Sequence, residues 1–248
     1  MILPTEWSAL GTAFYVVFGA FAVLLGFLDY YEWLPMRYSK FAGNKGVPSR
    51  LGMFVLYSLP IVTSVWFGLP YLSSASTVQW VVFAAITLHF VKRTLEVLFV
   101  HKYSGYMQTF TFVIIVVTYV LIGGMISGLN ATAIPTMDAL FYLGIVLFIV
   151  GEVGNYYHHK LLADLRSSNT GYFIPRGGWF EYATCPHYFF ELLAWLGIVL
   201  MSRHLFTVLA FIAMFGYLTG RSIKTRAWYR ERFKDYPADR KFMIPYLF

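Results

Sequence analysis

The sequence predicts an all-α integral membrane protein of seven transmembrane helices, with the N-terminus outside and the C-terminus cytosolic. Three observations carry this. Of 248 residues, 58% are hydrophobic and 12% are charged, where a soluble domain averages about 25% charged. The apolar residues gather into seven runs, roughly 8–28, 52–70, 77–98, 109–129, 138–158, 187–201 and 204–221. Most of them approach the roughly 20 residues that cross about 30 Å of hydrocarbon. Finally, of the 19 Lys and Arg residues, every one but Arg203 falls on one side of this arrangement.

The elements follow in order. Only Glu6, and no basic residue, precedes the first run, so it reads as a retained span rather than a cleaved signal peptide. Segment 36–50 carries Arg37, Lys40, Lys45 and Arg50, with Gly and Pro that prevent a long helix, and reads as a flexible cytosolic loop. Lys92, Arg93 and Lys102 end the third run or follow it. Lys160, Arg166 and Arg176 follow the fifth, in a stretch rich in Gly, Arg, Tyr and Pro. Only Ser202, Arg203 and His204 separate the last two runs. They must still be distinct, because fusing them would mix the charges across the bilayer. The tail from Arg221 to Lys241 is basic and aromatic. By the positive-inside rule the basic side is cytosolic, so 159–187 and 221–248 share that face.

Several function classes are excluded. The length suits one membrane domain, 1–248, with no separate soluble module. Continuous apolar runs without alternation exclude a β-barrel. No internal repeat appears, which argues against a transporter built from duplicated halves. The net charge of +7 is accounted for by the cytosolic face, so no nucleic-acid partner is predicted. Lone Cys185 excludes an intrachain disulfide and a cysteine metal cluster.

Charged residues inside spans are costly and usually face a partner or a cavity. His89, Arg93 and Glu96 sit at i, i+4 and i+7, on one helical face. Glu152, Asn155 and His159 make a second such face, and Tyr188, Glu191 and Trp195 a third. Three polar faces at similar depth can line one pocket open to the cytosol. Ion pairs that merely hold helices together would give the same pattern, and Glu96 can pair within its own helix with Lys92 or Arg93. His158 and His159 adjoin and no H-x-x-x-H occurs, so no metal site is predicted.

The C-terminal half carries four further motifs. They are Gly154-Asn155 followed by Asp164-Leu165-Arg166, then 172–180 (YFIPRGGWF), then 185–191 (CPHYFFE), and finally 233–237 (FKDYP) with Arg240-Lys241 and Ile244-Pro245. Over about 95 residues, and in order, they resemble the steroid 5α-reductase family. That family comprises membrane-embedded, NADPH-dependent reductases of conjugated C=C bonds: steroid 5α-reductases, polyprenol reductase and very-long-chain enoyl-CoA reductase. The resemblance implies cofactor contacts at Asn155, Arg166, Tyr172, His187, Glu191, Trp195, Arg221 and Tyr229, with His159 beside them. Arg166, Arg176 and Arg221 can neutralise cofactor phosphates. Glu191 and Asn155 can partner the nicotinamide carboxamide, Trp195 can pack beside a ring, and Gly177-Gly178 lets backbone approach closely. No Rossmann G-x-G-x-x-G occurs.

The chain departs from the steroid enzymes of that family. There, a Glu on span two and a Tyr on span three hold the 3-keto group. Here span two reads VLYSLP over 55–60, with no acid, and the span-three match is Phe90. The Asn of the C-P-N-Y motif is His187. The string 89–102 (HFVKRTLEVLFVHK) is closer to the enoyl-CoA reductase branch. The expected reaction is NADPH-dependent reduction of a carbonyl-conjugated C=C bond in a lipophilic substrate, a 3-oxo-Δ4-steroid first, with an enoyl-CoA or polyprenol-type substrate as the alternative. Tyr57, Tyr188 and Glu191 are the candidate catalytic residues; Ser58, His89, Phe90 and Arg93 are the candidate substrate residues. Residues 1–135 are expected to serve mainly the lipid and 136–248 mainly the cofactor, with no obligatory protein partner. The membrane would be a bacterial inner membrane or the endoplasmic reticulum. An isoprenylcysteine-type methyltransferase is the rival from another class, since its tail is similar, but it leaves the loop arginines unexplained.

Overall fold

A computed structural model describes residues 1–4, 7–134, 136–166 and 171–248, so Glu6 lies outside the described residues. Seven α-helices account for the seven apolar runs: α1 Ala9–Tyr30, α2 Ser49–Leu72, α3 Thr77–Phe99, α4 Thr109–Leu129, α5 Ala139–Leu165, α6 Pro186–Ser202 and α7 Leu205–Arg232. Their starts have local causes. Ser8 Oγ accepts from Gly11 N at 3.1 Å. Ser76 and Gln79 form a reciprocal capping box on α3. Asp138 Oδ1 accepts from Phe141 N at 3.0 Å, and Pro186 opens α6 where its missing N–H costs nothing. Arg203, at φ +57°, turns the chain between α6 and α7 and pairs with Asp138. α5 and α7 continue beyond the apolar runs as polar stubs.

Five of these helices, α1, α2, α4, α5 and α7, are long and apolar enough to cross a membrane. The chain is therefore an integral membrane protein, but the expected count of seven spans is met by length and apolarity only for those five. α3 carries Lys92, Arg93 and Glu96, and α6 has 17 residues, about 25 Å of rise.

The helices pack in three close pairs, α1 with α7, α2 with α4 and α5 with α6, and α3 touches α2, α4, α5 and α6. Glycine lets each pair approach at backbone distance, as small residues do in membranes. A Cβ on Gly26 of α1 would stand 2.5 Å from the backbone of Gly216, and one on Gly123 of α4 would stand 2.8 Å from the Pro60 carbonyl. On α5, a Cβ at Gly151 would overlap the backbone of Ala194.

Loops gather at the two ends of the bundle. At one end, Ile2 N donates to Arg203 O at 2.7 Å, and Gln79 Nε2 reaches the carbonyls of Asn130 and Ala131. At the other, Arg166 donates to Lys102 O, and Arg221 to Met36 O and Tyr38 O. Segment 36–50, expected to be a flexible loop, has a fixed course instead. Its β1 (Val47–Pro48) pairs antiparallel with β2 (Tyr106–Met107), and Gly43 bridges to Tyr106. Gly46, at φ +132°, permits this because any side chain there would meet the Met107 carbonyl.

Candidate active site

The three polar faces converge. His89 Nδ1 lies 2.6 Å from Glu152 Oε1, and its Nε2 lies 3.4 Å from Glu191 Oε1. Lys92 Nζ reaches Glu152 Oε2 at 2.8 Å and Asn155 Oδ1 at 2.6 Å. Arg93 donates to Glu96 Oε2 at 2.5 Å, to His159 Nδ1 at 2.7 Å and to Tyr57 Oη at 2.8 Å. Asn155 Nδ2 donates to the His187 carbonyl at 2.9 Å, and Trp195 Nε1 to Glu191 Oε1 at 3.3 Å. The ion pairing is thus real, but it backs a cavity rather than merely joining helices.

That cavity has a volume of about 200 Å³ and opens to solvent. Of the sequence-predicted residues, Tyr57, Arg93, Asn155, His159, Arg166, Tyr172, His187, Tyr188, Glu191 and Tyr229 line it. His89 and Trp195 stand behind Glu191 and hold it, their rings 5.1 Å apart. Phe90 is fully buried between Tyr119 and Trp195. The Ser58 hydroxyl returns to the Val55 carbonyl of its own helix.

Two predicted phosphate ligands lie elsewhere. Arg176 is outside the lining and pairs with Glu181, whose carboxylate is held below its usual range by the Gly177 N–H and Arg176. Arg221 is sandwiched between the rings of Tyr38 and Phe41 while it donates to two loop carbonyls. It fastens the α1–α2 segment to α7. Gly177-Gly178 makes its close approach to Tyr157 and His158 of α5. There His158 Nε2 accepts from Trp179 N at 3.1 Å and Nδ1 donates to Gly154 O at 2.7 Å.

Sequence reasoning missed other lining residues. Lys40 and Lys102 join Arg166 in the lining, as do His101, Tyr103 and Tyr119. Lys40 packs over the Tyr229 ring at 4.8 Å; burial and the nearby Arg166 and Arg221 bring its amine down to about 8. Both lysines stood in the charge census, but a census does not tell which loop cations fold inward. Tyr119 is the one tyrosine in the apolar run 109–129 and gives no periodic signal.

Glu96, His101 and His159 place one ligand atom each within 4.8 Å of one another, a geometry the sequence did not suggest. Arg93 already donates to both Glu96 Oε2 and His159 Nδ1, so a guanidinium occupies the position a cation would take.

A second, apolar cavity of about 60 Å³ lies between α1, α4 and α7 and opens to the outside. It shares Tyr38, Tyr119, Met214 and Tyr217 with the first. Both cavities draw on residues before and after position 135.

Comparison with known proteins agrees with this architecture. Residues 97–248 match the family model described as 3-oxo-5-alpha-steroid 4-dehydrogenase. The chain is 36% identical over 173 residues to 3-oxo-5-alpha-steroid 4-dehydrogenase 1 of Mus musculus, covering 67% of this chain and 68% of that protein. It is 33% identical over 185 residues to the polyprenal reductase of Xenopus laevis, covering 67% and 58%. It is 34% identical over 184 residues to the very-long-chain enoyl-CoA reductase of Dictyostelium discoideum, covering 71% and 60%. A match over more than half the chain, with relatives of this identity, makes it a member of the 3-oxo-5-alpha-steroid 4-dehydrogenase family of membrane oxidoreductases.

Proposed function

We propose that this chain uses NADPH to reduce a C=C bond conjugated to a carbonyl in a lipophilic substrate, a 3-oxo-Δ4-steroid in the first reading. The observation that carries this is the pair of cavities that share a wall of Tyr38, Tyr119, Met214 and Tyr217. One is lined by cationic and polar side chains; the other is apolar and faces the lipid-spanning helices. By name, the three relatives act on an oxo-steroid, a polyprenal and an enoyl thioester, all of which carry a carbonyl. An enoyl thioester is the second reading, supported by the string 89–102 and by the absence of an acid over 55–60.

The residues suit the cofactor. Lys40, Lys102 and Arg166 offer charge to its phosphates, and Tyr172 and Tyr229 offer faces for the adenine. Asn155 and Glu191 offer a donor and an acceptor to a carboxamide. His187 Nδ1 is buried without a partner among the described residues, which leaves one nitrogen for a bound group. When bound, NADPH supplies hydride to the β-carbon of the substrate. Glu191, held by His89 and Trp195, fixes orientation. Tyr57 donates a hydrogen bond from its hydroxyl to the carbonyl oxygen as charge develops there. Arg93, donating to the same Tyr57 oxygen, strengthens that donor. Tyr188 is the alternative donor, placed on the α6 side of the cavity. A proton at the α-carbon completes the reduction.

Two tests follow. A charge-assisted contact contributes roughly 1.5–3 kcal/mol. Arg166→Ala should therefore weaken NADPH binding about ten- to a hundredfold, read by protection against thermal unfolding, while S-adenosylmethionine protects neither protein. Unchanged NADPH affinity would return Arg166 to the solvated surface charges, and protection by S-adenosylmethionine would favour the methyltransferase. The topology, with α3 and α6 also spanning, is tested by single cysteines at Ser73, Arg176 and Lys234 against the buried native Cys185. We expect the Arg176 and Lys234 positions to label together from the side of a sealed vesicle opposite to Ser73; Arg176 labelling with Ser73, or apart from Lys234, would overturn the seven-span arrangement.

A further inference from the structure

We propose that Tyr119 of α4, in the wall the two cavities share, is a second hydroxyl donor to the substrate carbonyl, working with Tyr57. This rests on the reductase reading above. α4 has the highest mean hydropathy of the candidate spans, 2.4. A tyrosine hydroxyl in such a helix normally finds a partner, because an unpaired hydroxyl in an apolar setting is costly. The Tyr119 hydroxyl makes no hydrogen bond among the described residues and is not one of the sealed unpaired atoms, so it opens on the space it lines, whereas its neighbours are paired. Tyr57 accepts from Arg93 at 2.8 Å, and Tyr217 donates to Tyr38 at 2.8 Å. Phenylalanine would fill the same packing, so the hydroxyl needs another account.

Position supplies one. The Tyr119 ring lies 5.7 Å from Tyr57 and 5.8 Å from Phe90, and it lines both cavities. A lipid entering by the apolar cavity with its head toward Glu191 would meet Tyr119, which lines both cavities. A carbonyl oxygen has two lone pairs and accepts two donors. In the step itself, hydride bonds to the β-carbon and NADPH is oxidised. The C=C π pair moves to form the enolate, whose negative charge sits on the oxygen. A proton then bonds to the α-carbon and the carbonyl re-forms. Two hydroxyls on that oxygen stabilise the charge only while it exists. Tyr57, backed by Arg93, is the stronger of them. Tyr119 is neutral and unbacked, and it selects a carbonyl-bearing lipid over a plain hydrocarbon.

The test is Tyr119→Phe, which keeps the ring contacts. With an enone steroid and NADPH, kcat should fall roughly a hundredfold, toward the lower end seen for lost oxyanion donors, with NADPH affinity unchanged. In parallel, binding of a saturated 3-keto steroid should weaken about tenfold, while the same steroid without its ketone binds as before. Equal loss for both ligands, or an unchanged kcat with unchanged ketone binding, would overturn the proposal. A ketone-specific binding loss in a protein that turns over no enone, enal or enoyl thioester supports the donor and overturns the reductase reading instead.

Discussion

Arg93→Ala should be the most damaging single truncation in the polar core. The side chain is 9% exposed and joins Tyr57 of α2, Glu96 of α3 and His159 of α5. Removing one member of a buried ion pair typically costs about 3–5 kcal/mol, because the other charge is left without compensation. Glu96 would be that charge, left with only Lys92 Nζ, 3.4 Å from its Oε1, as a permanent cation. The loss should appear as a large fall in melting temperature in detergent and as poor extraction of folded protein. It should also depend on pH. His159 Nδ1 lies 3.1 Å from Glu96 Oε2, and His101 Nε2 lies 3.7 Å away. Either imidazole, once protonated, replaces part of the lost charge. Burial holds the His101 imidazole below its ordinary value, which for a free ring is about 6.5, so the deficit should shrink as pH falls below about 6. A deficit of under about 1 kcal/mol, flat with pH, would mean that Arg93 is solvated.

Glu191→Gln should separate catalysis from packing. Glu191 faces the cavity, accepts from Trp195 at 3.3 Å and stands 3.4 Å from His89. Glutamine keeps the shape and can still accept from Trp195, but it loses the charge that faces His89. Hydrogen bonds to charged groups contribute about 1.5–3 kcal/mol. The variant should therefore lose about ten- to a hundredfold in kcat/KM with little change in melting temperature. Wild-type turnover would assign Glu191 to the ion-pair network alone.

Much of this was legible in the sequence because membrane physics leaves few alternatives. Long apolar runs must be helices, and a charge inside one must face a partner, so the stripes on α3, α5 and α6 pointed inward. Which partner each charge takes was not legible. Arg93 chose Glu96 on its own helix, and His89 took both Glu152 and Glu191. Those choices depend on helix rotation and depth, which sequence spacing does not fix. The arginines were equally ambiguous. Arg166 faces the cavity, Arg221 fastens a loop and Arg176 pairs with Glu181. One residue type thus serves three ends. The β1–β2 ribbon escaped notice because strands of two residues carry no periodicity.

The measurement that tests the central claim most directly is isotope transfer. Purified protein is supplied with NADPH deuterated at the reacting carbon of its nicotinamide. An enone steroid, a trans-2-enoyl thioester and a polyprenal are offered in turn. The account predicts that at least one is reduced, with one deuterium on the β-carbon, a solvent proton on the α-carbon and the carbonyl intact. Deuterium on the carbonyl carbon, or no NADPH oxidation with any of the three, would contradict it.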